Sequence, residues 1–264
     1  MKSLGIGLFI LAAGLDVTDA NIVTEEIDYQ LDGTTLKGYL AYDSAKSGRR
    51  PGVIVVHEWW GLNDYVRKRA RMLAKLGYTA FALDMYGDGK QAQHPDDAKK
   101  FSSEVRKNFP MEKARFTAAL ELLRHNDNVD PQRIAAIGYC FGGGVVLEMA
   151  RRGVDLAGVA SFHGMLGTTD PAQPGDIKAK LLVMTGADNP FVPADQVAQF
   201  KAEMDAAQVD YKLIAYPGAR HGFTNPAADK NGKKFNLPLA YNKAADQASW
   251  QALQEFLQQI FLTQ

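Results

Sequence analysis

The apolar positions of this chain fall into short runs that switch between two periods. Residues 34–42 alternate apolar and polar side chains after an Asp32-Gly33 turn, and 26–30 can pair with them as an antiparallel hairpin. Val53-Ile54-Val55-Val56 is instead continuously apolar behind Pro51-Gly52, as suits a strand covered on both faces. From there strand and helix take turns. Helical spacing over 64–76 stops at Gly77, 79–83 forms a strand, 111–124 a helix, 133–138 a strand, and 143–151 a helix ending before Gly153. Strands at 156–161, 180–185 and 211–216 follow, with a helix over 194–207 between the last two and a closing helix over 244–261. Strict alternation implies right-handed βαβ crossovers. The predicted fold class is α/β, a doubly wound, mostly parallel sheet with helices on both faces. In such sheets the chemistry sits at the carboxyl ends of the strands.

Composition narrows the possible partners. The chain has 264 residues, 46% of them hydrophobic, enough for a large core in one α/β domain, assigned to residues 21–264. Thirty basic and thirty acidic residues cancel, so no overall field favours nucleic acid or an anionic membrane surface. The expected partner is a small molecule, with no nucleic acid and no membrane; the oligomeric state is left open, and a monomer suffices. One cysteine excludes an internal disulfide and any multi-cysteine cluster. Outside the constellation described below, no His, Cys or carboxylate group has ligand spacing, so no metal and no cofactor is expected.

Residues 1–20 carry one lysine, an apolar stretch over 4–15 and then Thr18-Asp19-Ala20, where small residues suit a signal peptidase. A cleaved signal peptide is expected, placing the protein in the periplasm or outside the cell. Asp16 and Asp19 keep open an unstructured or strand-forming extension on a cytoplasmic protein. No other segment approaches the ~20 apolar residues of a membrane-spanning helix.

The strand at 133–138 runs into Gly138-Tyr139-Cys140-Phe141-Gly142-Gly143-Gly144 and then a helix, the form of a G-x-S-x-G nucleophile elbow with Cys in place of Ser. A Cβ at Gly138 or Gly142 would collide with backbone in such a turn, and the helix N-terminus favours a thiolate at Cys140. The alternatives are a buried structural cysteine or a phosphate-binding loop, but neither G-x-G-x-x-G nor a Walker lysine is present. An elbow also requires an acid after a later strand and a histidine beyond the next one. Asp188 follows 181–185, and His221 follows 211–216, in that order. Alone, Asp188 is an Asx-turn residue and His221 a loop histidine; together they complete a Cys140–His221–Asp188 triad. Other histidines fit worse: His125 caps a helix C-terminus, His94 lies in a polar loop, and His163 precedes the acid.

With His57-Glu58-Trp59-Trp60-Gly61 after the first parallel strand, and with Gly-Tyr-Cys-Phe-Gly-Gly, Gly-Ala-Asp and Arg-His-Gly-Phe, the chain resembles the dienelactone hydrolase family of α/β-hydrolases over nearly its whole length after the leader. The resemblance implies hydrolysis of a small ester or lactone through a thioester. It implies backbone N–H donors to the oxyanion at Trp59 and Phe141, and a carboxylate, Glu58, that modulates the nucleophile. Glu58 in an ion pair with Arg69 or Arg220 is the alternative. Tyr86, Arg220 and Phe223 are candidates for the substrate pocket, while the His57, Trp59 and Trp60 side chains pack around the site. Where the family carries arginines for a substrate carboxylate, this chain has Asp88 and Asn225, so dienelactone itself is not the expected substrate. A thioesterase or acyl transferase, and a non-catalytic binding module on the same fold, are the competing functions.

Overall fold

The computed structural model describes residues 21–262, so the expected leader at 1–20 lies outside the described residues. Strands β1 (Ile22–Leu31) and β2 (Thr34–Asp43) form the opening hairpin, with Ile22 opposite Asp43 and Leu31 opposite Thr34. Asp32 and Gly33 turn it with φ of 47° and 78°, both left-handed as a two-residue Asp-Gly loop requires. The chain continues through β3 (Arg50–Val56), α1 (Asp64–Lys75), β4 (Thr79–Leu83), α2 (Pro95–Lys107), α3 (Phe109–Arg124) and β5 (Val129–Tyr139). Then come α4 (Phe141–Arg151), β6 (Gly158–Phe162), β7 (Lys180–Gly186), α5 (Ala194–Ala206), β8 (Tyr211–Tyr216), α6 (Ala228–Phe235) and α7 (Lys243–Leu262).

Together the strands make one eight-stranded sheet in the order β1-β2-β4-β3-β5-β6-β7-β8. Strand β2 runs antiparallel to β1 and β4, and every other pairing is parallel. The central strands are apolar on both faces because both faces are covered. Ile54 and Val56 of β3 pack with Phe116 and Leu120 of α3 and with Val145 and Met149 of α4. Val53 and Val55 point the other way, to Val66 and Leu73 of α1 and Leu253 and Leu257 of α7. Each such side chain contributes roughly 1.5–3 kcal/mol when fully buried. The sheet is thereby a rigid platform whose carboxyl edge presents loops.

Two helices were not expected from the sequence. Helix α2 is polar and buries only Ala98 and Val105, so it carries little periodic apolar signal; α6 buries only Ala228 and Gly232. His94, expected in a polar loop, caps α2: its Nδ1 accepts the Asp96 N–H at 3.2 Å. Strand β5 starts before residue 133 because Arg50 pairs with Val129 ahead of a register shift.

Candidate active site

Cys140 stands between the last residue of β5 and the first of α4, with φ 54° and ψ −114°. A non-glycine residue held there stores about 1–3 kcal/mol of strain, sustained by its surroundings. Cys140 N–H donates to Phe162 O at 2.9 Å, and Gly142 N–H donates to His57 O at 3.1 Å, stitching the turn to β6 and to the end of β3. A Cβ on Gly138 would lie 2.1 Å from Gly142 O, and one on Gly142 would lie 2.4 Å from Val56 O. The turn therefore closes only with glycine at both places.

His221 arrives on the loop after β8, buried to 7% exposure, with Nε2 3.0 Å from Cys140 Sγ. A parallel bridge to Leu239 and the bond from Ala240 N–H to His221 O (3.2 Å) hold its backbone. The rings of Phe191 and His163 pack edge-on against the imidazole at 4.9 and 5.2 Å. His163 is itself buried, bonded through Nε2 to Thr224 Oγ1 at 2.8 Å. His125 caps α3, with Nδ1 2.8 Å from Glu121 O.

The expected bond from Asp188 to His221 is not made. Asp188 N–H donates to Ala219 O at 3.0 Å and Ala187 N–H to Tyr216 O at 2.8 Å, so the two loops meet through backbone. The Asp188 side chain is exposed, and His221 Nδ1 is buried without a hydrogen-bond partner. The Asx turn belongs to its neighbour, since Asn189 Oδ1 accepts from Phe191 N–H at 3.1 Å.

The backbone N–H groups of Trp59 and Phe141 lie near enough to the sulfur to favour its anion. The Glu58–Trp59 peptide is held from its other side. Its carbonyl accepts Gly61 N–H at 3.1 Å and lies 2.6 Å from His57 Nδ1, while His57 Nε2 accepts Met85 N–H at 3.1 Å. Those bonds assign the proton to Nδ1, and a planar trans peptide with its oxygen fixed has its N–H direction fixed as well.

Glu58 is 4% exposed and accepts a 2.6 Å bond from Asn225 Nδ2. The alternative ion pairs are not formed, because Arg69 bonds Asp246 and Thr224 O, and Arg220 is exposed. Burial pushes the Glu58 carboxyl up to about 7, against the pull of Asn225 and Arg69. Burial, with the Glu58 charge, pushes the Cys140 thiol up to about 12, although the Trp59 and Phe141 N–H groups and Arg106 pull it down. Burial also lowers His221 to about 4. Burial thus favours the thiol and the neutral imidazole in this pair, against the thiolate that the helix terminus favours. A helix dipole is worth about 1 kcal/mol, and burial exceeds it.

A pocket of about 200 Å³ opens over the sulfur, lined by Trp59, Phe141, Met165, Phe191, Leu237 and Leu239, with Ser102 and Arg106 at its polar side. The three expected pocket residues do not line it. Tyr86 lies behind the floor, packing on Phe141 and donating to Trp59 O at 2.9 Å. Phe223 is fully buried beyond His163, where it shields the imidazole from the far side, and Arg220 faces solvent. Asp88 is exposed and pairs with Lys90, and Asn225 is taken up by Glu58. Met165 and Phe191 follow the carboxyl ends of β6 and β7, a positional signal that was available in the sequence. Leu237, Leu239 and Arg106 depend on α6 and α2, which were not predicted.

Residues 36–261 match the Dienelactone hydrolase family. Protein usf of Aquifex pyrophilus is 30% identical over 229 residues, covering 82% of this chain and 96% of its own. A Bradyrhizobium protein named probable 2-oxo-3-(5-oxofuran-2-ylidene)propanoate lactonase is 29% identical, covering 87% and 91%. Among solved structures, a dienelactone hydrolase-like promiscuous phosphotriesterase from metagenomic libraries superposes with a TM-score of 0.83 at 34% identity, covering 91% of this chain and 99% of its own. The sheet order, the elbow at the end of β5 and these matches place the chain in the dienelactone hydrolase family, as a hydrolase of ester or lactone bonds on the α/β-hydrolase fold.

Proposed function

We propose that the protein hydrolyses small, partly apolar esters or lactones with Cys140 as nucleophile and His221 as general base, through a thioester. The observation that carries this is the 3.0 Å Sγ–Nε2 contact, beside which the Trp59 and Phe141 N–H groups favour negative charge. As sulfur attacks the carbonyl carbon, the thiol proton passes to Nε2 and the carbonyl electrons move onto oxygen, facing Trp59 and Phe141 N–H. Collapse expels the alcohol, which takes the proton from His221. Water then attacks the thioester, gives a proton to His221, and releases the acid as the thiol is restored. A resting neutral pair suits this sequence, because charge separates only when a carbonyl is present to receive it.

Asp188 acts in this scheme as the carboxylate that turns onto Nδ1 once His221 becomes an imidazolium, when a charge-assisted bond outweighs hydration. A second reading, phosphotriester cleavage by the same sulfur, is supported by the 34% identical relative described as a promiscuous phosphotriesterase. Turnover of p-nitrophenyl acetate and of an aryl phosphotriester by wild type, Cys140→Ala and Cys140→Ser tests both. We expect both variants to lose at least about a thousandfold in kcat/KM. Full ester turnover by Cys140→Ala overturns the nucleophile assignment.

A further inference from the structure

His163 is fully buried, and its backbone is built into the turn that carries the nucleophile. The carbonyl before it, on Phe162, accepts the Cys140 N–H at 2.9 Å. Gly164, after it, presses on the first turn of α4, where a Cβ would lie 2.6 Å from the Gly143 carbonyl carbon. His163 N–H donates to Met184 O at 2.7 Å, and its φ of 41° is a left-handed value that a non-glycine residue keeps only when its surroundings impose it. From this fixed point the ring meets the His221 imidazole at 5.2 Å and 66°. One residue thus links the turn of the nucleophile to the ring of the base.

That link matters because His221 Nδ1 makes no hydrogen bond among the described residues, so ring contacts with Phe191 and His163 orient the imidazole. The His163 ring is itself pinned. Its Nε2 lies 2.8 Å from Thr224 Oγ1, which lies 2.6 Å from the Tyr65 phenol oxygen, and Arg69 Nε donates to that oxygen at 3.3 Å. Arg69, held by Asp246 and the Thr224 carbonyl, can only donate. One direction alone gives each hydroxyl hydrogen in the chain a partner: Tyr65 donates to Thr224, and Thr224 to His163 Nε2. The ring proton of His163 then sits on Nδ1, which forms no hydrogen bond but has the residue's own carbonyl close enough to favour it. The titratable groups facing this ring are His221, Arg69, Tyr65 and Tyr139, and none of them supplies a negative charge at neutral pH. Burial, then His221 and Arg69, hold His163 well below the ordinary imidazole range.

We propose that His163 is the positioning residue for His221: a neutral imidazole, pinned through Thr224 and Tyr65, whose ring keeps the His221 imidazole in register with the Cys140 sulfur. The inference rests on the hydrolase reading for its effect on turnover but not for its effect on the rings. A neutral ring suits the place, since a second imidazolium there would oppose the charge that His221 gains when it takes the thiol proton.

Thr224 lies outside the pocket lining, so Thr224→Val cuts the chain without touching substrate. Its kcat for p-nitrophenyl acetate is expected to fall about tenfold or more with KM within about twofold, and Thr224→Ser, which restores the donor, to return kcat to within about threefold of wild type. A wild-type kcat in Thr224→Val, or an equal loss in Thr224→Ser, overturns the proposal. Thr224→Ala, which cannot crowd the site, carries the same expectation if Thr224→Val does not fold. NMR of the ring nitrogens at pH 7 reads the arrangement directly. His163 is expected as one neutral tautomer protonated on Nδ1, and His221 as a single tautomer in wild type that becomes averaged once Thr224 loses its hydroxyl. A His163 that is charged or protonated on Nε2 refutes the donor chain, and His221 signals unchanged by the Thr224 substitutions refute the positioning role. If wild type cleaves no ester, the hydrolase reading fails and these spectra still decide the role of His163.

Discussion

The reactive sulfur is held in check by one neighbour in particular. The Glu58 charge raises the thiol, so Glu58→Gln is expected to speed alkylation of Cys140 by iodoacetamide at pH 8 by about three- to tenfold, read from the rate of label incorporation. A slower reaction would mean that Glu58 promotes the thiolate instead. In the proposed mechanism His57 acts on the oxyanion donor at Trp59 without touching substrate, through the carbonyl of the Glu58–Trp59 peptide. His57→Phe is expected to lower kcat roughly 10–100-fold with little change in KM, the split that distinguishes a misaimed donor from a merely loosened fold. At this scale the sequence was legible where backbone dictates residue type. Gly138 and Gly142 follow from a turn in which a Cβ would meet backbone, and Cys140 and His221, each placed at a strand's carboxyl end by the sequence, lie 3.0 Å apart. It was opaque for Asp188, Tyr86, Arg220 and Phe223, whose roles depend on where a side chain turns after the loop has been placed, and neighbours far away in sequence decide that.

Among the elements, the joint between β3, β5 and α4 is the least tolerant. Gly142→Ala would press a methyl group to 2.4 Å from Val56 O, a backbone atom with no freedom to turn aside. A loss of about 2–4 kcal/mol in urea unfolding is expected. Gly144→Ala meets only the end of the Arg106 side chain, so it should fold with near-normal stability, since alanine also favours the helix by about 1 kcal/mol. The strands were the readable elements because a strand covered on both faces leaves an unbroken apolar run, as 53–56 does. Helices α2 and α6 leave almost no apolar period in the sequence, because each buries just two small or medium residues. The pocket wall is hidden in the sequence with them, since Arg106 and the segment carrying Leu237 and Leu239 belong to or follow these helices.

For the whole molecule, buried ionisable groups set opposite pH limits. His221 falls to about 4 from an ordinary 6.5, so the unfolded chain binds the extra proton between those values and stability is lost as pH falls through that window. His57 and His163, also lowered by burial, act in the same direction. Glu58 and Glu112 rise to about 7 from an ordinary 4.5, so the folded chain holds the extra proton and stability is lost as pH rises from 4.5 to 7. Glu112→Gln is expected to be more stable than wild type by about 2 kcal/mol at pH 8, with the difference vanishing near pH 4.5; denaturant titrations at the two pH values check this. A constant difference would place the effect in packing rather than charge.

Cys140 is the sole cysteine in the chain. A peroxide that oxidises it to a sulfenic acid therefore leaves no second thiol in the chain to capture the product as a disulfide, and the next oxidation is irreversible. Oxidants attack the thiolate, and burial that keeps the sulfur protonated at rest withholds that target. For the nucleophile proposed above, the desolvation that makes the sulfur reluctant without substrate also makes it durable, since it is open to oxidation only while it is charged.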